Sequence, residues 1–192
     1  RWTFALTMRG TWPIFRAMQT MRLFDSHCHL QDERLAVGID AVMRRAAEAG
    51  VAGLLCCGTT ETDWHAIKTL AARFPTVRPA LGIHPLYLQP RSPDWAQHLR
   101  TALLATGAAV GEIGLDHSIE PRNDAEQEVV FLTQLQIAAD LQRPVSIHCR
   151  QAWGRMLDLL RNAPTLPPAL VFHSYSGARD LVPPLVELGG YF

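Results

Sequence analysis

The sequence predicts an α/β fold, a TIM-type (β/α)8 barrel that this chain fills incompletely, with about six strands and the start of a seventh. Three observations predict it. Short apolar runs alternate strictly with amphipathic stretches, the pattern of a parallel sheet covered by helices. No glycine pattern of a dinucleotide-binding or P-loop fold appears. Finally, His29, His84, Glu112, His148 and His173 each lie at or just past the end of an apolar run. Barrels collect chemistry from many strands at that rim, whereas an open sheet concentrates it near one switch point.

The elements follow in order. "RLFDSH" reads as the first strand, and "GIDAVMRRAAEAG" as a helix with Ile39, Val42, Met43 and Ala46 on one stripe, ended by Gly50. "VAGLLCCG" is a buried strand. A helix runs from about residue 61 to 73, with Thr60 at its cap. "VRPALGIHP" is a third strand and turn. "SPDWAQHLRTALLATG" is a helix capped by Ser92 with Pro93 in its first turn, and "AAVGEIGLD" is the fourth strand. A longer helix covers about residues 124–141, before "PVSIHCR", a strand entered at Pro144. "AWGRMLDLLRNA" is helical, "ALVFHSYSG" is a sixth strand and loop, and "ARDLVPPLVELGG" reads as a helix interrupted at Pro183 and Pro184. "YF" opens a seventh strand.

The bulk composition narrows the function. The chain of 192 residues is 48% hydrophobic, enough for one domain with a core. Its 18 basic and 18 acidic residues cancel, but Arg1, Arg9, Arg16 and Arg22 precede every acidic residue. The remainder therefore carries 14 basic against 18 acidic side chains, with no broad basic footprint for a long duplex. Residues 1–20 show no sustained periodicity and read as an extension outside the domain. Met21 then opens the domain that fills 21–192. Cys28, Cys56, Cys57 and Cys149 form no C-x-x-C pair and sit in apolar contexts, the pattern of reduced thiols in a cytoplasmic protein. No apolar run is long enough to span a membrane.

"FDSHCHL" raises the question of chemistry. On a strand, Asp25, His27 and His29 share one face, which reads either as a metal site or as polar residues in a loop. Read with Glu112, His148 and His173 at other strand ends, the set suits a borderline divalent cation. A carboxylate has two oxygens, so Glu112 can bridge two ions, and two ions suit phosphodiester hydrolysis. Singly, His148 and His173 also read as core histidines, and Glu112 as a helix cap or ion-pair partner. Cys28 and Cys149 alternate to the opposite face and read as strand packing.

Together, "FDSHCHL", "GIHP", "VGEIGLD", "IHCR" and "FHSYSG" resemble the TatD family of metal-dependent deoxyribonucleases, in order, from about Met21 to the last residue. The resemblance implies a (β/α)8 barrel in which His27 and His29 hold one metal, His148 and His173 hold the other, and Glu112 bridges them. It implies hydrolysis of phosphoester bonds by a metal-activated water, with DNA ends as the expected substrate. Imidazole and carboxylate ligands suit Zn, Mn or Co, with Mg at the more oxygen-rich site. His84 is a family position near the substrate end of the site, for phosphate contact or support of the ligands. Arg150 can receive a phosphate oxygen through its planar fork, or form a surface ion pair. Asp116 is placed to orient a ligand or water.

The chain departs from the family in one respect. Family members continue through further strand and helix units and carry an aspartate in a late "TD" motif, for which Asp180 is no substitute. The expectation is a fragment whose first metal lacks a carboxylate, whose activity is weak, and whose unclosed barrel edges invite self-association. Two rival readings are a barrel of the amidohydrolase or aminoacyl-ester hydrolase kind and an inactive metal-binding piece. Many amidohydrolases bridge their metals with a modified lysine on the fourth strand, whereas Lys68, the only lysine here, falls in a helix.

Overall fold

The computed structural model describes residues 22–192. The reading of residues 1–20 as an extension, and of Met21 as the start of the domain, lies outside the described residues. Seven parallel strands pair in chain order: β1 (Leu23–Cys28), β2 (Val51–Cys57), β3 (Val77–Leu81), β4 (Ala109–Asp116), β5 (Val145–Arg150), β6 (Leu170–Phe172) and β7 (Gly190–Tyr191). Between them lie α1 (Glu33–Ala36), α2 (Ile39–Glu48), α3 (Trp64–Arg73), α4 (Trp95–Thr106), α5 (Asp124–Asp140), α6 (Trp153–Asn162) and α7 (Val182–Glu187). The sheet curls into part of a barrel wall. Its curvature brings the end of β1 against the end of β6, where the rings of His27 and His173 stack at 3.7 Å.

The strands form where the apolar runs are continuous, because both faces are covered. Val110, Ile113, Leu115, Val145, Ile147 and Phe172 are buried in the middle of the sheet. The outermost strands differ. Leu23 and Phe24 on β1, and Tyr191 and Phe192 at β7, are exposed, and among the described residues β1 pairs with β2 alone while β7 pairs with β6 alone. Among the described residues, no helix is long and apolar enough to cross a membrane.

Helix starts depart from expectation. Asp63 rather than Thr60 precedes α3, and Thr60 Oγ1 instead accepts a hydrogen bond from the Asp63 N–H at 3.3 Å. Asp94 precedes α4, while Ser92 is drawn to Glu61, its hydroxyl donating to Oε1 at 2.8 Å. Pro183 and Pro184 do not interrupt the last helix. They occupy the first turn of α7, directly after a 3-10 turn over Arg179–Leu181, where a proline's missing N–H leaves no bond unmade. The short α1 leaves no trace in the sequence pattern, since four residues carry no readable period.

Two features of the middle of the sheet position the strand ends. Gly114 has φ of +150°, and a Cβ there would lie 1.8 Å from the carbonyl oxygen of His148. Only glycine allows β4 and β5 to approach so closely. Behind the sheet, α5 is apolar on a broad face but buries two glutamines. Gln134 accepts from the Ile83 N–H at 2.7 Å and donates to the Ile83 carbonyl at 3.1 Å. Gln127 does the same for Asp116, at 2.7 and 2.9 Å. Each side-chain amide takes the place of a neighbouring strand and satisfies both backbone groups of one residue. Ile83 precedes His84, and Asp116 ends β4, so both glutamines steady the rim.

Candidate metal centre

Six predicted residues meet at the rim. Glu112 projects from the middle of β4 and is only 2% exposed. Its two oxygens divide the site. Oε2 faces His27 Nε2 at 3.1 Å and His29 Nε2 at 3.2 Å. Oε1 faces His173 Nε2 at 2.6 Å, His148 Nδ1 at 2.9 Å and His84 Nε2 at 3.4 Å. Two clusters of ligand atoms fall within 4.8 Å of one another, one of His27, His29 and Glu112, the other of His84, Glu112 and His148. His173 touches the second Glu112 oxygen from beneath His27, on which it stacks.

The hydrogen bonds fix which ring nitrogens face the centre as lone pairs. His29 Nδ1 lies 2.8 Å from the carbonyl oxygen of Cys57. A carbonyl only accepts, so Nδ1 carries the proton and a neutral His29 presents an Nε2 lone pair to Glu112 and His27. Gln31 donates to the same carbonyl at 2.8 Å and to Asp63 at 3.3 Å, tying the β1 and β2 loops together. His148 is held from its far side, with Nε2 2.8 Å from Asp116 Oδ2, so that Nδ1 is its inward atom. Asp116 is itself pinned by the N–H and hydroxyl of Ser118 at 2.8 and 2.5 Å. His84 differs. The Leu86 N–H donates to His84 Nδ1 at 3.1 Å, which obliges Nδ1 to accept and leaves the proton of the neutral ring on Nε2. His84 therefore offers the centre a donor rather than a lone pair.

In the metal-free site the electrostatics follow from burial and from Glu112. Burial opposes ionisation of Glu112, but the facing imidazoles of His148, His173, His27 and His29 outweigh it and hold the carboxyl far below the usual range. Burial pushes His84 and His27 down, toward the neutral ring, against the pull of Glu112. The hydrogen bond to Glu112 raises His29. In His148, burial is outweighed by the bonds to Glu112 and Asp116, and its pKa rises. Burial pushes the Cys149 thiol up to about 12 and raises that of Cys57, so neither is a ready thiolate beside the site.

The donor set fits divalent cations. Nε2 of His27 and Nε2 of His29 converge on one oxygen of a buried, ionised carboxylate, with these nitrogens 3.2 Å apart. Without a cation between them, such nitrogens can be reconciled only by a shared proton. Among the described residues, Glu112 is the only carboxylate in either cluster.

The centre opens into a cleft of about 1220 Å³, lined by Arg34, Thr60, Leu86, Tyr87 and Arg150 as well as the histidines. Arg150 is exposed on its wall, and Asp116 is buried behind His148. A smaller cavity of about 280 Å³ lies on the other side of His27 and His173, between β1 and Phe192. Gln127, Gln134, Gln31 and the Cys57 carbonyl escape sequence reading, because each joins a side chain to a backbone atom of another element.

The family described as TatD related DNase matches residues 24–192. The chain is similar to the 3'-5' ssDNA/RNA exonuclease TatD of Yersinia pseudotuberculosis, at 37% identity over 169 residues, 87% of this chain and 65% of the relative. It is similar to the protein of the same name from Salmonella typhimurium, at 34% identity over 174 residues, 88% of this chain and 65% of that one. Among solved structures, YJJV, a TatD homologue from Escherichia coli K12, aligns with a TM-score of 0.83 and 30% identity, covering 88% of this chain and 66% of its own. The chain thus spans 65% of the length of the curated relatives it matches.

Proposed function

The chain belongs to the TatD-related DNase family, and from that premise we propose that it is a metal-dependent hydrolase of phosphodiester bonds, acting at the ends of single-stranded nucleic acid with water as the attacking group. The observation that carries this reading is the division of Glu112, one oxygen toward His27 and His29 and the other toward His148 and His173. In this reading His27, His29 and Glu112 hold one cation of the Zn, Mn, Co or Mg kind, and Glu112, His148 and His173 hold a second. Held by these residues, such ions would supply polarisation of a phosphoryl oxygen and a more nucleophilic water.

The residues of the chain do the rest. Glu112 stays ionised and fixes the distance between the two halves of the site. Asp116 keeps the His148 ring turned inward, and the Cys57 carbonyl does so for His29. His84 donates its Nε2 proton to a phosphate oxygen without gaining charge. Arg150 supplies a planar fork at the wall of the cleft. The free thiols of Cys28, Cys56, Cys57 and Cys149 support a reducing, cytoplasmic setting.

Metal titration of the wild-type chain and of Glu112→Gln, with a panel of phosphodiester, aminoacyl-ester and amide substrates, tests the reading. Both sites weaken together in the variant, and the phosphodiester is cleaved in preference. Loss of one ion with the other retained refutes the bridge, and cleavage confined to amides refutes the reaction class.

A further inference from the structure

Tyr87 lies in the cleft but takes no part in the centre described above. Its side chain is 51% exposed although the residue sits on the wall of the cleft that holds Glu112 and the histidines. The turn that carries it is fixed at two points, the Tyr87 N–H donating to the His84 carbonyl at 2.9 Å and the Leu86 N–H to His84 Nδ1 at 3.1 Å. The phenol is therefore held on a short, rigid connection to the donor proposed for phosphate. The two rings stand 5.4 Å apart, centre to centre, and are tilted by 46°.

An isolated exposed aromatic needs no explanation on an open surface. On the wall of a polar cleft, one residue pair from a phosphate donor, it has a specific geometric meaning. Phosphate and base of one nucleotide are separated by a sugar, a span of several ångströms. A phosphate oxygen at His84 Nε2 would bring a base of the same strand within reach of the Tyr87 ring. A duplex hides that face of the base inside its stack, whereas a single strand offers it freely. Arg150 lines the same cleft and can follow the backbone, whereas Arg34 on that wall is paired with Asp32 at 2.6 Å.

We propose that Tyr87 is a nucleobase-stacking residue that makes the cleft selective for single-stranded, base-bearing ends. This rests on the nucleic-acid reading of the site and names the feature of the substrate it recognises.

Equilibrium binding separates the two. The probes are a short single-stranded oligonucleotide with 2-aminopurine at its terminus and the same oligonucleotide with abasic terminal positions, followed by fluorescence anisotropy and by quenching of the 2-aminopurine. The wild-type chain binds the base-bearing probe about 5- to 150-fold more tightly than the abasic one, the range expected of one aromatic–base stack, and quenches it. Tyr87→Ala reduces that ratio to about one and abolishes quenching, without changing affinity for the abasic probe. Tyr87→Trp, which retains an aromatic face, keeps both. A ratio that survives in Tyr87→Ala, or an equal loss on both probes, overturns the proposal. Equal wild-type affinity for both probes overturns it while leaving the nucleic-acid reading standing. Wild-type binding to neither probe removes both.

Discussion

Replacing Gln134 by leucine should cost the fold about 2–6 kcal/mol. The figure follows from what its amide does. Oε1 accepts from the Ile83 N–H at 2.7 Å and Nε2 donates to the Ile83 carbonyl at 3.1 Å, and the residue is 0% exposed. Leucine fills a similar volume but strands both backbone groups away from water, and each buried unpaired group costs about 1–3 kcal/mol. Against a total stability of about 5–15 kcal/mol, that is a large fraction. Urea unfolding reads it as a lower midpoint at unchanged slope. Gln134→Glu sharpens the test. One carboxylate oxygen can still accept from the Ile83 N–H, but the other meets the Ile83 carbonyl, and two acceptors attract only if a proton lies between them. The buried carboxyl is therefore raised above its unfolded value of about 4.3. A raised folded pKa gives stability that is fully present below the unfolded pKa and lost as pH rises through the folded one. Relative to wild type, Gln134→Glu should be near neutral at about pH 4 and lose about 1.4 kcal/mol per pH unit above it until the group ionises. A loss below 1 kcal/mol in the leucine variant, or no pH dependence in the glutamate variant, refutes the reasoning.

Two further expectations concern the centre. Asp116→Asn removes the charged acceptor that turns the His148 ring inward, and metal affinity read by competition with a chromophoric chelator should fall about 10- to 100-fold while the fold persists. Acidity should act on the metal-free and metal-bound chains in opposite senses. His29, raised chiefly by its bond to Glu112, and His148, raised against burial by Glu112 and Asp116, stabilise the metal-free fold below about pH 6.5, and that contribution is lost as pH rises through their folded values. Cations require the neutral rings, so the gain in melting temperature on adding zinc should grow from pH 5.5 to 8, and a gain that shrinks over that range contradicts the ligand set.

The strands are legible in the sequence because continuous apolar runs bounded by glycine, as in "VAGLLCCG", have one economical use in an alternating chain. The ligand candidates are legible for the same reason, since each follows such a run. Local caps are less so. Thr60 and Ser92 look like helix starts, but Thr60 and Glu61 belong to a loop that competes for them. The prolines at 183 and 184 break a helix in its interior and begin one at its end, and sequence alone does not say which applies. What escapes altogether is whatever depends on a backbone atom supplied from elsewhere. The proton on His84 is set by the Leu86 N–H, that on His29 by a carbonyl of β2, and the buried glutamines of α5 by strand ends far off in the chain. Residue types announce that a site exists, but its protonation is decided by the fold.

His27 and His173 border both the wide cleft and the small cavity beside β1, so the stacked pair is a partition two rings thick with solvent on each side. A substitution that removes either ring would therefore join the two spaces among the described residues.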